Sequence, residues 1–409
     1  MKLLYLTQYF PPEVGAGAVR SDAMVRYLSD DGWEIDVLTE IPNYPTGKIQ
    51  PNYRKYWFYR EKYIDNVWVH RVWVWANRRR SLIQQFQFFL SFMISCFFYA
   101  LIHPRKYDLI YVTSPPIFAA ISGCLLSKIF GAPFVMEIRD LWPDSVVDDH
   151  TLQSQSMFVR IGHKIERWLY NQADMLIPVT HESEQIIKAK SKQAKTTVIP
   201  NGVDISLFNK KEKPEEGIDE QFDGEKFRVG YVGSLGVIHD LHTFVQAAKL
   251  CENDPDIEFI IVGDGGQNNQ LHKIIEEIQP SNLQWVGLKK HQQIPYYISS
   301  FDLAINPVND SKAFRSIVTV KFYEYLACET PVLSAANGAL KDIGDLSNAA
   351  VTIPAGDPRL LADKIKYLKW HPDKLKNLSQ NARRFVESHY SRRDLAKKLS
   401  DLLKNILKP

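Results

Sequence analysis

The chain has 409 residues, 45% hydrophobic and 24% charged, which is ordinary for a soluble globular protein and long enough for two domains with full cores. Its net charge of +3 is too small to favour nucleic acid as a partner. The 4 cysteines have neither zinc-ligand nor CxxC spacing, which favours a reducing cytoplasm: Cys96, Cys124, Cys251 and Cys328.

Apolar runs and helical patterns alternate along the chain, which predicts parallel sheets joined by right-handed crossovers. Residues 1–10 are apolar but run into Pro11, so they indicate a buried first strand rather than a secretory signal. In the first half we predict strands at 2–8, 34–39, 67–75, 108–113, 133–138, 174–179 and 196–199.

A charged segment at 210–217 contains proline and glycine, lacks an apolar period and is the best candidate for an interdomain linker. We therefore assign 1–205 to a first domain, 206–226 to the linker, 227–390 to a second domain and 391–409 to a Lys-rich amphipathic helix. In the second half we predict strands at 227–232, 257–262, 283–286, 302–306, 331–334 and 350–353.

The loop of residues 11–17 follows the first strand and opens a helix from about Ala18. Gly15 and Gly17 would expose backbone N–H groups at that helix N-terminus, where diphosphates bind. A tight strand-to-helix turn explains the same glycines, so both interpretations stay open. The dinucleotide fingerprint GxGxxG is absent, which argues against a nicotinamide oxidoreductase.

Residues 82–102 carry no charge and are apolar except along one narrow helical stripe. Six phenylalanines and Tyr99 occupy the broad face of this predicted helix. A core helix, a membrane span and a helix lying in the membrane interface are the three alternatives, and we favour the interfacial helix because aromatic and basic residues flank it. The flanking basic residues are Arg78, Arg79, Arg80, Arg105 and Lys106.

Asp140 follows the apolar strand 133–138, at the carboxyl end where α/β proteins place their sites. We expect Arg139 to hold the Asp140 carboxyl ionised, and we expect Trp142 and Pro143 to stiffen the loop. An ion pair that only anchors this turn is the alternative.

Three apolar strands of the second half, within 229–236, 259–265 and 283–287, each end in glycine. Glycine lets a ligand approach the backbone where a side chain would block it. One such glycine is weak evidence, because most only make a turn, whereas three in succession indicate a ligand site.

The segment 319–331 is predicted to carry the helix of a βαβ crossover, with Lys321 and Glu324 on one face near its start. A lysine at that position can neutralise a diphosphate, and a glutamate one turn later can accept two hydrogen bonds from a ribose diol. A surface ion pair is the alternative.

In this order the motifs resemble the donor domain of the GT-B glycosyltransferases, specifically glycosyltransferase family 4, and the resemblance covers nearly the whole chain. Markers at 9–13, 138–145 and 198–204 are similar to those of the bacterial O-antigen and capsule branch, which includes fucosamine-transferring enzymes. The implied fold is α/β GT-B: two Rossmann-like, doubly wound parallel-sheet domains that face each other across a cleft, with the last helix packed back on the first domain.

The resemblance implies a retaining, metal-independent glycosyltransferase without a cofactor. It would move a sugar from a nucleotide diphosphate sugar, expected to be a UDP-linked amino or deoxy sugar, to a lipid-linked saccharide in bacterial surface polysaccharide biosynthesis. The expected location is the inner face of the plasma membrane. The Asp-Pro-Asp sequence at 254–256 matches the metal motif of other sugar transferases, but its proline indicates a turn.

The resemblance also implies roles for individual residues. The implied catalytic residues are Asp140, Arg315, Lys321 and Glu324. The implied donor-binding residues are Gly15, Ala16, Gly17, Ser234, Gly236, His239, Gly263, Asp264, Gly265, Val286, Gly287, Ile294, Thr319 and Val320. The implied acceptor-binding residues are Glu13, Arg20, Arg139 and Trp142.

The family's nucleotide pattern is only partly kept. Many members carry two glutamates, of which Glu324 fits the second, while Ser316 occupies the place of the first. Many also carry an arginine and a lysine where this chain has Ser234 and His239. A GT-B UDP-sugar 2-epimerase and a catalytically inactive, membrane-associated scaffold are therefore kept as alternatives. We infer that two other basic residues supply the missing charge: Arg315 and Lys321.

Overall fold

The computed structural model describes residues 1–13, 15–44, 46–77, 81–144, 157–211, 226–312 and 314–408. The chain forms two compact units, the first made of Met1–Asn201 with Arg392–Pro409 and the second of Gly202–Ser391. The first unit therefore ends slightly before the predicted boundary at 205. Most of the predicted linker and three of the predicted membrane-flanking residues lie outside the described residues: 212–225, Arg78, Arg79 and Arg80.

The first unit is built on one sheet, whose described strands are β1 (Lys2–Leu6), β2 (Glu34–Glu40), β3 (Phe58–Ile64), β4 (Val67–Val72), β5 (Leu109–Ser114), β6 (Phe134–Ile138) and β7 (Met175–Pro178). Across the sheet they run in the order β3-β4-β2-β1-β5-β6-β7. β3 pairs antiparallel with β4, and the other pairs are parallel. β3 was not predicted because three consecutive charged residues, 60–62, interrupt its apolar residues and leave no apolar run.

The strand predicted at 196–199 is wrong. The backbone there bonds to β7, but Thr196 makes only an isolated bridge with Leu176. Pro178 and Pro200 have no N–H to donate, so a longer ladder cannot form.

Helices α1 (Ala16–Asp30), α2 (Leu82–Ile102), α3 (Ile117–Phe130), α4 (Met157–Gln172) and α5 (His181–Lys190) belong to the first unit. Successive residues of a strand point to opposite faces of the sheet. Leu4 and Leu6 of β1 accordingly pack with α2 and α3, whereas Leu3 and Tyr5 pack with α1.

The second unit contains the described strands β8 (Phe227–Val232), β9 (Ile257–Val262), β10 (Leu283–Gly287), β11 (Leu303–Pro307), β12 (Val332–Ala335) and β13 (Ala350–Ile353). They are parallel and run in the order β10-β9-β8-β11-β12-β13. Its described helices are α6 (Leu241–Cys251), α7 (Asn268–Ile278), α8 (Ile294–Ser299), α9 (Val320–Ala327), α10 (Ala339–Ser347), α11 (Pro358–Lys369) and α12 (Pro372–His389).

The last helix, α13 (Arg392–Ile406), belongs to the first unit although it follows the second in the sequence. Its Leu395, Leu399 and Leu403 lie in the same core as Trp33. The Trp33 indole N–H donates to Ser400 Oγ at 2.8 Å. The apolar face predicted for the Lys-rich helix is therefore the face that packs on α1 and its following turn.

α2 has two apolar faces, one buried and one exposed, whereas the sequence pattern showed a single broad apolar face. Phe88, Phe92 and Cys96 are completely buried in the core of the first unit. On the other face Ile83 is 71% exposed and Phe98 is 53% exposed. The segment is long and apolar enough to cross a membrane by length and composition, but one side of it is a core helix packed on β2 and β4.

Candidate active site

In the sheet of the second unit, the order in which successive strands are added reverses between β8 and β11. From β8 the chain proceeds through α6 to β9 on one side, and β11 later returns to the other side of β8. The crevice at the carboxyl ends of two such strands is where open α/β sheets bind ligands. The predicted donor residues after β8 and at the start of α9 both lie at this point.

Lys321, in the first turn of α9, is the central side chain of this region. It is only 6% exposed, and its Nζ lies 2.6 Å from the Tyr231 hydroxyl and 2.9 Å from His239 Nε2. A Cβ atom added to Gly233 would lie 2.9 Å from the same Nζ. Gly233, Tyr231 and His239 thus enclose the ammonium group from the β8 side.

Burial governs the electrostatics of the Lys321 ammonium. It lowers the lysine pKa well below the ordinary value, and the charge of Glu324, one turn later, only partly offsets this. A buried lysine of this kind is unfavourable when charged unless an anion approaches it. The arrangement therefore suits an anionic ligand better than it suits a ligand-free protein.

His239 is held in place by backbone as well as by its ring. It forms a bridge with Val308, and the next residue, Asp240, donates its N–H to Pro307 O. Burial and the charge of Lys321 lower the pKa of His239 well below its ordinary value. A neutral His239 accepts from Lys321 and positions it, instead of supplying the cation that the family carries at this place.

Arg315 does not join Lys321 in a charge cluster. It lies in a 3-10 turn and is exposed, and its guanidinium binds both carboxylate oxygens of Asp310, at 2.8 and 2.9 Å. Asp310 thus pairs with Arg315 in the described structure, and the inference that Arg315 replaces a missing phosphate-binding cation stays a prediction. Lys321, in contrast, is buried beside the end of β8.

The start of α9 is fixed by buried polar contacts. Thr319 is the N-cap residue, and its Oγ1 accepts from Asn306 Nδ2 at 2.9 Å. Ser316, in the place of the family's first glutamate, is buried. Val320 and Glu324 are partly exposed, which leaves both accessible at the predicted ribose position.

The three glycine loops pack against one another. Gly233 N donates to Val262 O, and Gly263 N donates to Gly287 O, both at 2.9 Å. A Cβ on Gly263 would lie 1.9 Å from Gly233 O, and one on Gly265 would lie 2.4 Å from Leu235 O. Close packing between loops therefore requires these two glycines, whatever ligand binds above them.

Gly236 differs, since a Cβ there would meet no heavy atom within 4 Å. We expect Gly263→Ala to lower the melting temperature sharply, because the added methyl overlaps backbone at a φ of +145°. Gly236→Ala is the matched control and should melt like the wild type. A Gly263→Ala variant of unchanged stability would contradict this loop packing.

The remaining predicted donor residues line the outer part of this edge. Ser234 is exposed, and its carbonyl accepts from the Tyr231 hydroxyl at 2.7 Å. Asp264 Oδ1 accepts from the Gly265 N–H at 2.6 Å, which shapes the second loop. Val286 and Ile294 are partly buried against the core.

Two tyrosines that sequence reasoning missed hold the site together. Tyr231 contacts Lys321 as described, with its ring centroid 4.1 Å from Nζ. The Tyr325 hydroxyl accepts from Val232 N at 2.9 Å and donates to Val232 O at 3.0 Å, which ties α9 to the end of β8. Both tyrosines lie within apolar stretches of the sequence. The pattern therefore identifies them as core residues and does not show what their hydroxyl groups contact.

Arg20, predicted to contact an acceptor, is buried in the first unit. It donates to Glu137 Oε2 at 2.9 and 3.1 Å and to the carbonyls of Ile199, Pro200 and Asn201. These five bonds use all its N–H groups. The prediction is corrected: Arg20 is a positioning residue that ties α1 to β6 and to the segment after β7.

The Glu13 carboxylate also makes its hydrogen bonds within the first unit. Its Oε1 accepts from the backbone N–H groups of Asn43 and Tyr44, both at 2.8 Å. The carboxylate therefore fixes the loop after β2 to the loop after β1. Its contact with an acceptor stays a prediction, because these two bonds use only one of the carboxylate oxygens.

Asp140 lies at the carboxyl end of β6, as predicted, but its electrostatics differ from the prediction. Burial raises the pKa of the Asp140 carboxyl, and Arg139 only partly opposes this. The Arg139 guanidinium donates instead to Pro115 O at 3.1 Å and packs against Gly17. Arg139 therefore favours the ionised form of Asp140, as expected, but burial has the larger effect on the pKa of this carboxyl.

The first turn of α1 is open on its outer side. Gly15 is the N-cap residue at a φ of 140°, and Gly15 and Ala16 are exposed. Gly17 has a packing reason, because a Cβ there would lie 2.7 Å from Arg139 Nη1. The structure therefore contains both features that the sequence left open for these glycines: a tight strand-to-helix turn and an exposed helix N-terminus.

The loop after Asp140 is clamped by helices. A Cβ on Gly162 of α4 would lie 2.8 Å from the Trp142 ring. Lys190 Nζ donates to Asp144 at 2.8 Å and to Glu166 at 2.9 Å. Trp142 is thereby held between α3 and α4, since Phe118 of α3 lies 6.3 Å from its ring.

Within the described part of the chain there is no group of three or more His, Cys, Asp or Glu residues placed to hold a metal ion. The Asp254 carboxylate binds Lys369 at 2.7 Å, and its Oδ1 accepts from Asp256 N. The Asp-Pro-Asp sequence is therefore a turn, as its proline indicated.

Comparison with known proteins gives two family matches. Residues 15–202 match the glycosyl transferase 4-like domain, and residues 212–385 match glycosyl transferases group 1. The putative colanic acid biosynthesis glycosyl transferase WcaI of Escherichia coli K12 is 25% identical over 73% of this chain and 74% of its own length. The probable glycosyltransferase WbjE of Pseudomonas aeruginosa is 24% identical over 69% and 70%.

Solved structures show the same architecture. Sucrose-phosphate synthase from Thermosynechococcus elongatus has a TM-score of 0.78 at 19% identity, over 99% of this chain and 98% of that one. Anabaena HepE in complex with UDP-glucose has a TM-score of 0.73 at 18% identity, over 99% and 100%.

The fold and the matched domains together define a glycosyltransferase of the GT-B fold with two Rossmann-like, parallel-sheet domains. This chain joins a glycosyl transferase 4-like domain to a glycosyl transferases group 1 domain, and its matched relatives include proteins named for bacterial polysaccharide biosynthesis.

Proposed function

We propose that the chain is a retaining, metal-independent enzyme that transfers a sugar from a UDP-sugar, carrying an amino or deoxy sugar, to a lipid-linked saccharide. The observation that carries the proposal is the buried ammonium of Lys321 at the switch point of the second unit. An ammonium held there by Tyr231 and His239 is suited to a diphosphate. HepE, which shares the fold, was solved with UDP-glucose bound.

In the proposed reaction the bond between the anomeric carbon and the diphosphate oxygen breaks while the acceptor oxygen bonds to the same face of that carbon. The acceptor proton passes to the leaving diphosphate. The protein's contribution is to stabilise the diphosphate charge and to align the two substrates. Lys321 and the loop amides serve the first task, Glu324 holds the ribose, and the loop of Asp140 and Trp142 serves the second.

Glu324→Ala tests the donor site. Loss of the carboxylate leaves two ribose hydroxyls unpaired, which costs about 1–3 kcal/mol and corresponds to a KM for the donor raised roughly 5- to 150-fold. A thermal-shift screen of nucleotide sugars identifies the donor first, because a ligand stabilises the state that binds it. Wild-type kcat and KM in Glu324→Ala would contradict the ribose placement.

The metal-independent mechanism has its own test. Activity should persist in EDTA, and loss of activity in EDTA would contradict that mechanism.

We further propose that the enzyme lies on the inner face of the plasma membrane through the exposed side of α2. Ile102 at its end is 66% exposed and the exposed Lys106 follows it, whereas Arg105 is paired with Asp36 at 3.0 Å. Apolar side chains beside basic residues suit an interfacial helix.

The triple variant Ile83→Ser, Phe98→Ser, Ile102→Ser should leave the membrane fraction without unfolding, because all three side chains are exposed. The matched control replaces Leu288, Leu346 and Trp370 of the second unit, which are at least as exposed, and should stay membrane-bound. Fractionation and melting temperature measure both. Phe88→Ser, in contrast, should unfold the first unit.

A further inference from the structure

α4 presents an exposed face that the sequence pattern had not singled out. Its outward residues include large apolar side chains, of which Ile161 is 48% exposed and Trp168 is 37% exposed. The outward basic residues are Arg160, Lys164 and Arg167. The only acidic residue of the helix, Glu166, is 1% exposed and bonds to Lys190. This outer face of α4 is therefore both apolar and basic, with no opposing charge of its own.

The outer face of α4 is continuous with the exposed sides of α2 and α3. Phe158 lies at the border between the outer and inner faces of α4, and its ring centroid is 6.4 Å from that of Phe86, which joins α4 to the first turns of α2. Lys128 of α3 lies 5.7 Å from the Trp168 ring centroid. Beside Lys128, Ile129 is 54% exposed. Three neighbouring helices thus expose one apolar surface bordered by cations.

The inner face of α4 grips the loop that carries Asp140. Gly162 leaves room for the Trp142 ring, and Phe158 lies 6.0 Å from the same ring. Glu166 and Lys190 hold Asp144 at the other end of the described loop. One helix therefore has the exposed basic face on its outside and the candidate acceptor loop on its inside.

We propose that the outer face of α4 docks on an anionic phospholipid bilayer and so places the Trp142 loop at the bilayer surface, next to a lipid-linked acceptor. Three cations with exposed apolar neighbours match an anionic headgroup layer by charge and by polarity. The bilayer is favoured over a second copy of this chain because a copy would bring like charges together. The consequence for the acceptor rests on the proposed function, whereas the docking itself does not.

The first test replaces Arg160, Lys164 and Arg167 with glutamine in the full chain. Binding to vesicles of phosphatidylglycerol and phosphatidylcholine should fall roughly 100- to 200-fold at low salt, since each of the three basic residues contributes about 1 kcal/mol near an anionic surface. Binding to pure phosphatidylcholine should not change. The matched control replaces Lys374, Lys376 and Arg384, which are exposed on α12 of the second unit, and should bind like the wild type.

The second test locates the contact. The described cysteines Cys96, Cys124, Cys251 and Cys328 are buried, so an environment-sensitive fluorophore can be attached selectively to Ile161→Cys. Its emission should shift to the blue with anionic vesicles. Leu346→Cys, at a position 75% exposed in the second unit, is the control and should not respond.

Unchanged vesicle binding by the triple glutamine variant, or equal responses of the two fluorophores, would overturn the docking proposal even if the enzyme transfers sugar as proposed. A concentration-dependent dimer without vesicles, lost in the same variant, would assign this face to a second copy instead. Transfer to a water-soluble acceptor should be unaffected by the variant. Its loss there would place these residues in the active site and also overturn the proposal.

Discussion

Lys321→Met is expected to lose donor binding while the ligand-free protein keeps or gains thermal stability. The ammonium is buried, so removing it relieves a desolvation cost in the ligand-free state. Charge-assisted hydrogen bonds to a diphosphate contribute about 1.5–3 kcal/mol each, so the affinity for UDP should fall at least tenfold. Methionine leaves His239 Nε2 without its donor, which offsets part of the gain in stability.

The pH dependence has a defined sign. The pKa of Lys321 is lowered in the folded protein by burial, so below the ordinary value of 10.5 the unfolded state binds more protons at this group. The contribution of Lys321 to the free energy of unfolding therefore rises with pH between the lowered pKa and 10.5, and it should be absent in Lys321→Met. A bound diphosphate raises the pKa again, so UDP binding should take up protons at pH values between the lowered pKa and 10.5.

Titration calorimetry in buffers of different ionisation enthalpy measures that uptake, and differential scanning calorimetry measures the stability. Lys341→Met is the matched control, because Lys341 is an exposed lysine of the second unit paired with Asp345. It should change neither quantity. UDP affinity that is unchanged in Lys321→Met would remove Lys321 from the donor site.

Arg20→Met is expected to be among the most destabilising single substitutions in the first unit. It leaves the buried Glu137 carboxylate without its cation, and breaking a buried pair costs about 3–5 kcal/mol. Urea unfolding measures the loss. Arg26→Met on the same helix is the control, because Arg26 is 46% exposed and its pair with Asp22 is a surface pair of little energetic consequence.

The same pair should govern acid stability. Burial opposes ionisation of Glu137, but the charge and hydrogen bonds of Arg20 outweigh it and hold the pKa below the ordinary value of 4.5. That contribution is present above pH 4.5 and is lost as the pH falls through the lowered pKa. An Arg20→Met protein that folds with wild-type stability but fails to bind an acceptor would restore the original prediction for Arg20.

The sequence predicted most of the strands because buried parallel strands are continuous apolar runs. It missed β3, because the charged residues of this strand leave no apolar run. β3 is a strand because it pairs with β4, and that pairing is not visible in its own sequence. It placed Lys321 and Glu324 correctly on one helix, since spacing along a helix is a local property. It could not show that Asp310 pairs with Arg315 or that Arg20 is enclosed, because those contacts depend on where the backbone turns.

The sequence by itself determined the class of this protein: the order of strands, glycines and the Lys-Glu helix is carried by local patterns that survive without coordinates. Only the tertiary structure decided which charges are available. It enclosed Lys321 between Tyr231 and His239, and it divided α2 into a core face and an exposed face. The physical reason is that burial and pairing set the energy of a charge or an apolar side chain, and both are properties of contacts between residues distant in the chain.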